Sequence, residues 1–300
     1  MHSFLIRISG RPRSGLRAFA TLLCAACVSG GAKVEPGTGA RALPPDTMPP
    51  APTAGAMSAA FMTAFNNADA RARSLVFHNE CATTVQRLRG TGSFGAAAAA
   101  PKLVFCERTS DGVPIGGVFD IDSAYIKVRR LTVVRLDGTR PRYTDAIDTA
   151  RVAAEARLAR DVTREVTPSQ KKLSRTFTVV SITPKDGAME AWVMPWPTKA
   201  RSVITGGEIA MMRDASGALR RTVDHTATWK TVSVAATGAV KLQSAEREVA
   251  AVSDLAAARG LADLGRLVSV QTGAAWSTLV PGLDEATGAR MKWEHSRITP

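Results

Sequence analysis

An α+β fold is predicted for the body of this 300-residue chain, with helices packed on a largely antiparallel sheet. Three observations carry the prediction. Apolar residues recur at helical spacing in two long blocks and one shorter block. Between the blocks, β-branched alternating runs follow one another instead of alternating strictly with helices. Turn signals such as Asp137-Gly138 and Lys185-Asp186-Gly187 separate those runs.

The first helical block covers residues 57–89, where Ala60, Phe61, Ala64, Phe65, Ala68, Leu75 and Val76 fall near one face; it ends around Arg89-Gly90. Strand-like runs follow at 102–106, 118–122, 125–128 and 131–135. Residues 144–166 read as the second helix. Thr144 suits its cap, and Asp145 the positive end of its dipole. Ile147, Ala150, Ala154, Leu158 and Val162 form its apolar stripe, and Pro168 ends it.

The second half reads as antiparallel sheet. Residues 176–182 and 189–196 make one hairpin, 203–213 and 218–225 a second around Asp214–Gly217, and 227–234 extends the sheet. A short helix at 253–268 presents Leu255, Ala258, Leu261 and Leu264 on one side. From Thr272 onward no period is evident. A single domain at 57–300 accounts for these elements, and any division of it falls near 136–174.

Residues 1–26 are assigned instead to a targeting segment. Arg7, Arg11, Arg13 and Arg17 form a basic start without an acid, and residues 18–27 form an apolar run. That run is about 10 residues, short of the ~20 needed to cross a bilayer. Its end, Leu23-Cys24-Ala25-Ala26-Cys27, resembles the lipobox of bacterial lipoproteins, with Cys24 where an aliphatic residue is usual. The resemblance implies cleavage before Cys27 and lipidation of that cysteine. Ordinary cleavage after Ala32 is the alternative. Residues 27–56 hold six of the 16 prolines, namely Pro36, Pro44, Pro45, Pro49, Pro50 and Pro52, and read as a disordered Pro/Gly/Ala linker.

The chain carries 39 basic and 26 acidic residues. Four arginines leave with residues 1–26, so the processed form stands at +9. The charges are scattered over Lys127–Arg130, Arg140, Arg142, Lys171-Lys172 and Arg220-Arg221, with few aromatics between them. That pattern describes a solvated basic surface suited to an anionic envelope component. Nucleic acid is not an expected partner of an exported chain. Only Cys81 and Cys106 remain in the body, and an oxidising compartment makes them a disulfide.

Several short motifs fail in context. Gly90-Thr91-Gly92-Ser93-Phe94-Gly95 matches the dinucleotide-binding pattern but follows a helix and leads into alanines. Phe119-Asp120-Ile121-Asp122-Ser123 resembles the first motif of haloacid-dehalogenase-like phosphatases, yet runs on into another strand. Ser169-Gln170-Lys171-Lys172 resembles the serine-lysine motif of penicillin-binding proteins, but Lys230-Thr231-Val232 lacks the glycine of the partner motif. His78 and Cys81, at i and i+3, form a candidate metal half-site or Cys–His dyad that the disulfide would remove. Trp192, Trp196 and Trp229 are the candidate ligand platform in the sheet.

The reading is therefore an exported, lipid-anchored envelope protein of unknown function, a binding or structural module and not a catalyst. No catalytic residue, metal or cofactor is assigned. The alternative is an exported hydrolase whose site is assembled from residues distant in sequence. The expected address is the periplasm or outer membrane, with a soluble exported form as its rival.

Overall fold

The computed structural model describes residues 2–8, 57–90 and, apart from short gaps, 103–298. Cys27 and the linker 27–56 lie outside the described residues, as do Thr144, Trp196 and the Gly-rich stretch after Gly90.

The β-branched and aromatic runs form β1 (His2–Ile8), β2 (Leu103–Arg108), β3 (Pro114–Ile121), β4 (Val128–Arg135), β5 (Arg142–Tyr143), β6 (Phe177–Ile182), β7 (Glu190–Pro195), β8 (Ser202–Thr205), β9 (Ile209–Arg213) and β10 (Leu219–Asp224). All of these except β8 join one nine-stranded sheet in the order β10-β9-β7-β6-β1-β2-β3-β4-β5. Every pairing in it is antiparallel. At one edge, β10 carries the exposed Arg220 and Arg221, and charge of this kind discourages pairing with another chain.

The targeting reading gave His2–Ile8 no part in the fold, yet here the segment is the fifth strand of nine. It runs antiparallel to β6 on one side and to β2 on the other.

Helices cover both faces of this sheet. α2 (Thr149–Lys172) lies on one, where Val152, Ala156, Ala159, Val162 and Val166 pack against Phe105, Phe119, Phe177, Val179 and Val193. The helix starts later than predicted, with Asp148 Oδ1 accepting from the Ala150 amide at 2.8 Å. Its buried stripe is also rotated from the predicted one, and Ala150 is exposed. Nor does Pro168 end it. Proline costs the helix its own N–H bond and crowds the preceding turn, yet the helix runs on to Lys172. The next turn is held by buried Gln170, while Ser169 Oγ donates to the Val166 carbonyl at 2.9 Å.

α1 (Ala59–Gly90) and α3 (Val252–Asp263) lie on the other face. α1 meets the sheet closely where Gly116 faces it, since a Cβ there would fall 2.3 Å from a Val85 methyl carbon. Cys81 in α1 and Cys106 in β2 are joined as the predicted disulfide. α3 is shorter than predicted. The Gly265 amide donates to Ala262 and the Arg266 amide to Leu261, with Gly265 at φ +76°. That is a glycine stop, which ends the helix before Val268.

Beyond α3 lies a four-stranded sheet of β12 (Val240–Gln243), β13 (Val268–Gln271), β14 (Ala275–Asp284) and β15 (Ala289–Arg297), in that order. The tail that showed no period is thus the β14–β15 hairpin. Pro281 and Gly282 break its register, which hides the alternation of Met291, Trp293 and His295 against the more exposed Lys292 and Glu294. β11 (Lys230–Ser233) pairs with β8 in a separate ribbon and does not extend the main sheet as predicted.

One buried ionic knot ties the α1, α3 and β15 layers. Arg259 on α3 donates to both oxygens of Asp69 on α1, at 2.6 and 2.7 Å, and Trp293 Nε1 on β15 donates to the same carboxylate at 2.9 Å. Asp69 and Arg259 are both buried. Replacing Asp69 by alanine leaves the guanidinium without its partner, and a buried pair broken on one side costs about 3–5 kcal/mol. The expected result in urea is an unfolding free energy lowered by that amount, read as a lower midpoint at unchanged slope. Asp120→Ala, which breaks the exposed pair with Arg129, should cost less than about 1 kcal/mol.

Candidate functional site

Among the described residues an apolar groove of about 790 Å³ lies between α1, α3 and strands β6, β7 and β8. Leu75 and Val76 on α1, Val180 on β6, and Ala256, Ala257 and Leu261 on α3 form much of its wall. It exists because α3 carries small residues where it faces β8. Ala256, Ala257 and Gly260 leave space that longer side chains would fill.

The rim is mixed in charge. Glu80 and Asp263 sit there with Arg266 and Asn79. Burial first, and the Asp263 carboxylate second, raise the pKa of Glu80. Leu264, at the same rim, is 76% exposed, and Leu267 nearby in sequence is half exposed. Large apolar side chains left in water beside an apolar groove mark a contact surface.

Among the described residues, two clusters bring serine, histidine and carboxylate side chains close together. Glu208 accepts from Ser253 Oγ at 2.7 Å and lies 2.9 Å from His225 Nδ1. The contact with His225 is an ion pair when the imidazole is protonated. Glu208 thus stands between serine and histidine, and the imidazole is not positioned to take the hydroxyl proton. Glu208 raises the His225 pKa to about 9, burial opposes it, and Glu246 at the other ring nitrogen assists. Asp254 completes the cluster, accepting from the Gly206 amide at 3.0 Å and from Ser244 Oγ at 2.7 Å. Together these groups pin the β8–β9 turn to the start of α3, and so fix one wall of the groove.

A second Ser–His contact, Ser277 Oγ to His295 Nδ1 at 2.9 Å, is closed to substrate. Ser277 is fully buried, and His295 packs edge-on against Phe61 and Phe65. Burial lowers the pKa of that imidazole. Among the described residues no three His, Cys, Asp or Glu side chains converge as a metal site.

The residues singled out from the sequence are dispersed. Cys81 is consumed by the disulfide, so buried His78 has no thiol beside it to form a dyad. Asp120 pairs with Arg129 across the β3–β4 hairpin, at 3.2 Å. Ser169 and Lys172 end α2, and Lys230 begins β11. Trp192 is buried, with Nε1 donating to Glu190 at 2.8 Å, and Trp229 is half-buried after a 3₁₀ turn at Thr226–Thr228. The two do not share a platform. The groove was missed because its walls come from segments far apart in sequence, on α1, β6, β7, β8 and α3. The small-residue run Ala256-Ala257-Ala258 with Gly260 was its one local signal.

Glu155 is the strongest displaced carboxyl with no outlet. It lies on α2 against β6, wholly buried, with Thr183 Oγ1 at 3.5 Å from Oε1. Burial pushes its pKa up to about 8, Arg151 opposes, and Glu107 adds to the rise. The apolar groove does not reach it.

Comparison with known proteins brings no relative: no family model, no curated protein and no solved structure matches the chain.

The raised Glu155 carboxyl has a stability consequence. The folded state holds its proton more tightly than the unfolded state, so stability falls as pH rises from about 4.5 to about 8. Glu155→Gln should flatten that part of the pH–stability curve. At pH 8 the variant should be more stable than the parent by about 1–3 kcal/mol. A curve unchanged by the substitution would show that Glu155 is not the titrating group.

Proposed function

We propose that this is an exported, lipid-anchored binding module of the cell envelope, whose groove takes an elongated apolar ligand or segment. The observation that carries the binding part is the groove itself. It is large enough for a small ligand, mainly apolar along its walls, charged only at Glu80, Asp263 and Arg266, and bordered by the exposed Leu264. The polar groups nearby are engaged in pinning the groove wall, as the Glu208–Ser253 and Asp254–Ser244 bonds illustrate.

The address rests on the basic-then-apolar start, the lipobox-like Leu23–Cys27 and the proline-rich stretch after it. The Cys81–Cys106 disulfide supports it, since such bonds persist mainly in oxidising compartments. A net charge of +9 after processing suits a surface near anionic headgroups. Among the described residues no helix is long and apolar enough to cross a membrane. In this reading the attachment is the lipid on Cys27.

Two measurements test the proposal separately. Intact mass of the protein from the membrane fraction should give a chain starting at Cys27 with an acyl-bearing adduct. A start at Lys33 without lipid would remove the anchor. For the groove, N-phenyl-1-naphthylamine serves as an apolar fluorescent probe. Ala257→Trp should weaken its binding at least about tenfold, a change of roughly 1.4 kcal/mol, with little change in Tm. Equal binding by parent and variant would place the probe, and the function, elsewhere.

A further inference from the structure

Export would vacate a place in the middle of the main sheet. Within β1, Ser3–Ile8 pair with Ile182–Phe177 of β6, and His2–Leu5 pair with Glu107–Val104 of β2. Among the described residues no other strand reaches those two edges. Cleavage before Cys27 or after Ala32 removes β1 in either case. The sheet then divides into β10-β9-β7-β6 and β2-β3-β4-β5.

The edges left behind are not solvent edges. On the α2 side they carry Phe177, Val179, Leu103 and Phe105, all buried. On the α1 side they carry Val180, Ile182, Val104 and Cys106, also buried. Roughly half of the backbone groups in the paired residues point toward β1, about ten N–H and C=O groups in all. Native proteins almost never leave such groups buried and unpaired.

We infer that the processed protein receives, in the slot between β2 and β6, an extended segment of about seven residues from a second exported polypeptide. This rests on the export reading above. The segment runs antiparallel to both neighbours, as β1 does. It must be mainly apolar, because both faces of the slot are covered by core. It must lack interior proline, because the ladders on both sides need its amides. The sequence of β1, His-Ser-Phe-Leu-Ile-Arg-Ile, is a template of that kind.

Other occupants fit less well. The chain's own residues 27–56 contain six prolines and five glycines, too few apolar side chains for a doubly covered strand. A second processed copy has lost the same segment, and its remaining described strands are already paired. The slot also borders the groove. Thr178 and Val180 line the groove and pair with Arg7 and Leu5 of β1, so slot and groove share β6 as a wall. One partner chain can therefore fill the slot with its strand and reach the groove with a flanking residue. This is strand addition, in which backbone bonds give affinity and alternate side chains give specificity.

The test uses the protein purified from the envelope, its N-terminus read by intact mass. After unfolding and refolding with the disulfide kept, it is titrated with a synthetic peptide of residues 2–8. The inference predicts saturable 1:1 binding, a Tm raised by several degrees and a higher refolding yield with peptide present. The same peptide with Leu5→Pro should bind at least about tenfold more weakly. A processed protein that refolds equally well without peptide and does not bind it overturns the inference while leaving the export reading intact. So does a refolded dimer that peptide does not dissociate, since a second copy would then fill the slot. A purified chain that still carries residues 2–8 overturns the export reading itself.

Discussion

The structure depends on complete backbone pairing in the centre of a sheet that is covered on both faces. A strand in that position has no water to turn to, so each amide and carbonyl needs a protein partner. β1 supplies those partners to β6 and to β2. Through them it joins the half of the sheet tied to α1 by the disulfide with the half that forms the groove wall. An unsatisfied buried backbone group costs about 1–3 kcal/mol, so losing even a few is comparable to the whole stability of a domain.

The layers outside the sheet are held by a few buried polar bonds. Asp69 joins α1, α3 and β15. Arg71 reaches from α1 to Glu190 on β7, at 2.7 Å, and Trp192 donates to the same carboxylate. Glu208 and Asp254 hold the start of α3 against the β8–β9 turn. Between these pins the small side chains of α3 leave the groove open. The groove is therefore set by rigid neighbours on three sides, an arrangement that favours binding without large rearrangement.

Much of the architecture was legible in the sequence. The α+β class, both long helices, the β9–β10 turn at Asp214–Gly217 and the Cys81–Cys106 bond follow from local patterns. What escaped was whatever local pattern does not encode. Pro168 signals a helix end, but the buried Gln170 beyond it holds one more turn. Gly265 stopped α3 earlier than its apolar spacing suggested, because a left-handed residue is decided by backbone geometry. The β14–β15 hairpin was hidden by Pro281 and by a charged outer face. The groove, built from residues more than 150 positions apart, has no signature in any window. The start of the chain is the sharpest case. The same residues that read as a targeting segment have the apolar content of a doubly covered strand, and sequence cannot assign them to both roles at once.

On the export reading proposed above, those two roles would belong to successive forms of one chain: a precursor that carries its own central strand, and a processed form that has lost it. Amide hydrogen exchange on the two forms tests this most directly, with a cleavage-blocked precursor compared against the processed protein. The account predicts slow exchange throughout β2 and β6 in the precursor. In the isolated processed form, it predicts fast exchange at the slot-facing amides of β2 and β6, with β3 and β7 still protected. Equal protection of β2 and β6 in both forms would contradict it.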